Sequence, residues 1–212
     1  MVWLIIGLVL FLGPHSVSIV SRSARNSLVQ RLGEGPWKGL YSLLAAAGLV
    51  MIVVGYAAAR TQPVVLYQPP VWTRHLALLL MLPSIVLLVA AYTNGHIRRV
   101  TKHPMLLATK LWATAHLLAN GTLADVLLFG AFLLWAVADR IALKRRAPGA
   151  QPGAAAQAAK PKVANDLIAL ALGLTLALTG TVTGQPAPSA PFTVAETGAG
   201  YSSLADAVAA IA

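Results

Sequence analysis

Runs of about twenty apolar residues, parted by short basic connections, leave this chain one physical home, a lipid bilayer. A spanning helix needs about 20 mostly apolar residues. In lipid every backbone N–H and C=O must find its partner inside the protein, so helices are the form expected. Six such runs are legible, at about 2–20, 39–59, 71–92, 104–119, 122–138 and 163–182. Only 10% of the 212 residues are charged and 58% are hydrophobic. A soluble domain carries about 25% charged residues, so this chain cannot cover a water-facing surface. The fold class expected is all-α: a polytopic transmembrane helical bundle of about six helices.

A formal net charge of +10 raises the question of nucleic acid. The basic residues, however, sit between the apolar runs and form no stripe on a soluble face. Thirteen of the 16 Lys and Arg fall in the first, third and fifth connections; only Arg60, Arg74 and Lys110 lie elsewhere. That alternation follows the positive-inside rule, with both termini outside. The expected setting is the bacterial inner membrane, multi-pass, with the lipid bilayer as partner and no nucleic acid. No basic stretch precedes the first run, which is interrupted by Pro14-His15; it reads as a retained helix, not a cleaved signal. Asn120-Gly121 makes a tight turn and so a helical hairpin of the fourth and fifth spans. Pro83 marks a kink in the third. Residues 147–159, rich in Ala, Pro, Gly and Gln, read as a flexible linker.

There is no cysteine, which removes disulfides, iron–sulfur clusters and thiolate catalysis. The glycines of RLGEGPWKG, at 31–39, follow no strand pattern, so they give little support to a dinucleotide fingerprint. Attention therefore falls on ionisable residues inside the spans, which are costly and usually functional. These are His15 in the first span, Arg74 and His75 at the outer start of the third, His103, Lys110 and His116 along the fourth, and Asp125 in the fifth. Met105, Thr109, Trp112 and His116 recur on one helical face, which should turn into the bundle. His116 and Asp125 are equidistant from the Asn120-Gly121 turn. An Asp125 carboxylate accepting a hydrogen bond from His116 would fix its tautomer and make it a better ligand. Each also has a structural reading: Asp125 suits the positive N-terminus of its helix, and Lys110 can snorkel. Histidines on facing helices of an apolar bundle are the usual arrangement for haem or metal.

LFLGPHS (10–16), RLGEGPWKGLYSL (31–43) and HPMLLATKLWATAHLLANG (103–121) together resemble the NnrU family, over about residues 1–178. The resemblance implies a bacterial membrane protein associated with nitrite and nitric oxide reduction, hence denitrification. The same motifs are similar to zeta-carotene isomerase, a membrane enzyme that carries haem b. Its two haem histidines match His15 and His116, which this likeness makes the first choice of metal ligands. That enzyme also has a cysteine three residues before its second histidine, where this chain has Ala113, so the ligand swap is not available here. The likeness thus implies haem b as cofactor, with isomerase-like redox chemistry as a possible use.

Depth complicates the pairing. With these span edges His15 lies roughly 20 Å from the outer surface and His116 roughly 6 Å. Two axial nitrogens of one metal must lie about 4 Å apart. The other pairs the topology offers are His75 with His116 on the outer side and His15 with His103 on the inner. A separate likeness, of HIRRVTKHPML at 96–106 to the R-H-P-x-Y motif of isoprenylcysteine and phospholipid methyltransferases, implies a second function class. Its partner would be an isoprenoid or lipid substrate, as opposed to nitrogen-oxide respiratory components. Lys102 stands in place of that motif's Arg and Leu106 in place of its Tyr. A non-catalytic transport or assembly factor is the third class. After about residue 179 the likeness to NnrU stops. PFTVAETGAGYSSLADAVAAIA, at 191–212, resembles the opening of a right-handed parallel β-helix protein. No repeats follow it, and stacked repeats are needed to bury such a core, so 183–212 is expected to pack poorly.

Overall fold

A computed structural model describes residues 1–145 and 160–183. The linker and tail read from the sequence lie outside the described residues. The elements are α1 (Val2–Val20), α2 (Arg22–Leu32), α3 (Glu34–Arg60), α4 (Val71–Ala90), α5 (His96–Thr101), α6 (Pro104–Ala119), α7 (Leu123–Lys144) and α8 (Val163–Thr183). No strand occurs among the described residues, so the all-α membrane bundle expected from the apolar runs is what forms. Four helices, α1, α3, α4 and α7, are long and apolar enough to cross a membrane. α6 has 16 residues, and the apolar part of α8, Val163–Leu178, is also shorter. The helix assignment of α1 runs on through Pro14 and that of α4 through Pro83.

The long helices pack in the order α3–α1–α7–α6–α4–α8. α1 and α3 run antiparallel and almost backbone to backbone. A methyl placed on Gly7 would lie 2.6 Å from the Ile52 nitrogen, and one on Gly48 would lie 2.6 Å from the Phe11 nitrogen. Glycine and other small residues allow this close approach, which is how helices gain packing energy in lipid. The core between α1, α3, α6 and α7 holds Leu4, Leu8, Ile52, Ala113, Leu128 and Phe129. On the other side of α6, the Ser84 hydroxyl of α4 donates to the Ala108 carbonyl at 2.9 Å.

Two ends of the bundle differ in character. At one, the α3–α4 loop clasps the α6–α7 turn. Leu66 N–H donates to the Gly121 carbonyl at 2.9 Å and Leu123 N–H to the Val64 carbonyl at 2.8 Å. The other is the basic end, where α1, α2 and α3 join and where α5 turns the chain from α4 into α6. Here Asp166 of α8 accepts from the Ile97 N–H at 2.9 Å and pairs with the His96 ring at 2.8 Å. The sequence reading treated both 21–38 and 93–103 as connections. The structure corrects this: α2 and α5 are helices. Ser21 caps α2, its hydroxyl accepting from Ala24 N–H at 3.2 Å. Gly33, with φ 86°, ends α2 in a conformation that favours glycine.

Candidate functional site

His15 stands on the last turns of α1, facing the elbow that α2 and α3 make at the basic end. Its Nδ1 is 2.6 Å from the Phe11 carbonyl one turn earlier. A carbonyl only accepts, so Nδ1 carries the proton and Nε2 keeps its lone pair. The ring stacks on Phe11 with centroids 4.6 Å apart, meets Tyr41 at 5.0 Å and Trp135 edge-on at 6.0 Å. His15 lines an open cleft of about 420 Å³ with Arg25 and Val29 of α2 and Trp37, Lys38 and Tyr41 of α3. That volume is within the range of small-molecule sites, about 300–1,000 Å³. Lys38 is bridged to Glu34 at 2.7 Å. Beside His15, the Trp135 Nε1 is buried and makes no hydrogen bond.

His116 sits at the opposite end of the core. Its ring stacks flat on Phe129 at 4.2 Å and meets Trp112 at 5.4 Å. Trp112 and His116 therefore do turn into the bundle, against α7, as their spacing indicated. The hydrogen bond expected between His116 and Asp125 is absent. Asp125, 4% exposed, accepts from the Tyr56 hydroxyl at 2.5 Å through one oxygen. Its other oxygen accepts from Thr122 N–H at 3.0 Å and the Thr122 hydroxyl at 2.6 Å. The Thr122–Asp125 spacing makes a capping box, which holds the carboxylate at the helix start. His116 instead has Asn120 as its polar neighbour: the Asn120 side-chain amide donates to Nδ1 at 3.4 Å. That leaves the ring proton on Nε2.

His15 and His116 are not brought together. His15 meets Trp135 and His116 meets Phe129, six residues apart on α7, a rise of about 9 Å. Between them run Phe11, Phe132 and Trp112, with successive ring centroids 5.6 and 5.5 Å apart. His75 lies exposed in the second turn of α4, and His103 occupies the N-cap of α6 at the basic end. Among the described residues no group of three or more His, Cys, Asp or Glu could hold a metal ion.

Over this same stretch, residues 3–183, the chain matches the family model described as NnrU protein. The chain belongs to the NnrU family. No curated protein and no solved structure matches it. The NnrU match covers every helix described above but for Val2, and both histidine sites. Three neighbours of these sites in this NnrU protein escaped the sequence reading: Tyr56, Tyr41 and Trp135. Their depths were readable, but not the rotation of α3 and α7 that turns them inward. The T-x-x-D spacing before the fifth span was a readable sign that Asp125 caps its helix. Near this end Tyr67 donates its hydroxyl to the Leu117 carbonyl. Burial, and secondarily the Asp125 carboxylate, pushes the Tyr67 hydroxyl above the usual tyrosine range.

Proposed function

We propose that this NnrU-family protein binds haem b at the basic-end cleft through His15, and supports nitrite or nitric oxide reduction from the bacterial inner membrane. The observation that carries this reading is the approach of His15 Nδ1 to the Phe11 carbonyl, which leaves Nε2 of the neutral ring as the free ligating nitrogen. A histidine ligand usually donates its other ring N–H to a carbonyl or carboxylate, which orients the ring and makes the ligating nitrogen more basic. The Phe11 carbonyl does this for His15 at 2.6 Å. The cleft is also lined by Arg25, Lys38 and Glu34, with Lys38 bridged to Glu34 at 2.7 Å. The unsatisfied Trp135 Nε1 offers a donor beside the same ring. Haem, when bound, supplies a redox-active iron. His15 would hold it, with Tyr41 lining the same cleft.

A single iron held by both His15 and His116 does not fit this arrangement, because the α7 residues their rings meet, Trp135 and Phe129, are separated by a rise of about 9 Å. His15 is therefore the ligand proposed, and His116 stands outside the haem site. Purification in mild detergent, from cells supplied with ample haem, tests this. A Soret band that is lost in His15→Ala and retained in His116→Ala is the expected result. A colourless wild-type protein, or a His15→Ala variant with an unchanged spectrum, would overturn the assignment. Loss of the band in both variants would make His116 a second ligand.

A further inference from the structure

We propose that α2 is an interfacial helix whose basic residues, with Lys38, bind the phosphate headgroups of anionic phospholipids at the basic end of the bundle. This rests on α2 itself and not on the haem reading. α2 follows α1 after Ser21 alone and precedes α3 after Gly33 alone. Both neighbours are long and apolar enough to cross a membrane, so both ends of α2 are tied to the level where α1 and α3 emerge. At 11 residues it spans about 16 Å along that plane.

None of its residues is buried, yet it is built in faces. At 100° per residue Ala24, Leu28, Leu32 and Val29 share one side with Arg25 among them, Asn26, Gln30, Ser23 and Ser27 take the other, and Arg22 and Arg31 stand at the two boundaries. Leu28 and Leu32 are 38% and 45% exposed. Helices of this kind lie in the headgroup layer with the apolar face lowered and Lys or Arg held above it. Arg22, Arg25, Arg31 and Lys38 lie between residues 21 and 38, a stretch whose one acidic residue is Glu34. Glu34 is engaged by Lys38 at 2.7 Å. The charge matches an anionic leaflet. Because Arg25 and Val29 also line the His15 cleft, lipid held by α2 sets how that cleft is covered.

The absence of cysteine permits a single reporter. Leu28→Cys is labelled with an environment-sensitive fluorophore and placed in nanodiscs of phosphatidylcholine, with or without phosphatidylglycerol. Emission shifts to the blue with phosphatidylglycerol, and native mass spectrometry finds that lipid retained over phosphatidylcholine. Each of Arg25→Gln and Arg31→Gln lowers the retention ratio about fivefold, whereas Arg25→Lys and Arg31→Lys keep it. Equal emission and equal retention in both lipids, or a ratio untouched by the glutamine variants, would overturn the proposal. Inorganic phosphate added to the lipid-free detergent form leaves emission unchanged. A shift as large as that with phosphatidylglycerol would assign the site to free phosphate and overturn the lipid assignment.

Discussion

Asp125 closes the first turn of α7 and also receives the Tyr56 hydroxyl from α3. Its carboxyl group is buried, where polar atoms must find hydrogen-bond partners within the protein. Three donors from Thr122 and Tyr56 supply them. Removing the acid leaves Tyr56 and the Thr122 amide unsatisfied, so Asp125→Ala should cost about 3 kcal/mol. Tyr56→Phe, which leaves the cap intact, should cost about 1 kcal/mol, the worth of one hydrogen bond. Thermal unfolding in detergent measures both. A Tyr56→Phe loss equal to that of Asp125→Ala would mean that the cap contributes nothing. At this scale the sequence was a partial guide. The hairpin geometry put His116 and Asp125 on facing helices, but the local cap competes for the carboxylate and wins it, since Thr122 is three residues away and needs no tertiary contact to reach it.

At the scale of helices, the bundle turns on how closely α1 and α3 approach. The backbone of Phe11 lies where a side chain on Gly48 would go. Gly48→Leu must therefore push the two helices apart and should cost about 3 kcal/mol or more. Gly130 in α7 has nothing within 4 Å of a would-be methyl, and Gly130→Ala should be neutral or stabilise by about 0.5 kcal/mol. Comparing the two by thermal unfolding checks the crossing directly: equal effects would show that it is loose. The four helices long enough to cross, α1, α3, α4 and α7, were legible because each is a long apolar run. α2 and α5 were not, because helices of 11 and 6 residues with several charges give no hydropathy signal and look like basic loops. Their caps were the available clue, Ser21 before α2 and Gly33 after it. The inward turn of Tyr41 and Tyr56 was also hidden, since the glycine crossing fixes the rotation of α3 and no single helix reveals a crossing.

For the whole molecule, the apolar surface and the distribution of charge make one argument. Leu79 is 68% exposed, Leu134 73% and Val50 62%, on helices long enough to span. Side chains of this kind are stable outward only against lipid, so the bilayer completes the fold that the chain leaves open. The basic residues then decide which way it lies. They gather where α1, α2 and α3 join, along α5 and at the last turn of α7, while the clasp formed by 61–70 and the Asn120-Gly121 turn carries no Lys or Arg. Translocating the basic end would oppose the preference for Lys and Arg on the cytoplasmic side. The orientation expected therefore puts α2 in the cytoplasm and the clasp outside. Since the chain has no cysteine, Gln62→Cys and Ser27→Cys can each be read alone with a membrane-impermeant maleimide. Gln62→Cys should label in intact spheroplasts, and Ser27→Cys only after the membrane is opened. The reverse pattern would invert the protein and turn the His15 cleft to the outside. Labelling of both in intact spheroplasts would mean that the helices do not divide the chain between two compartments at all.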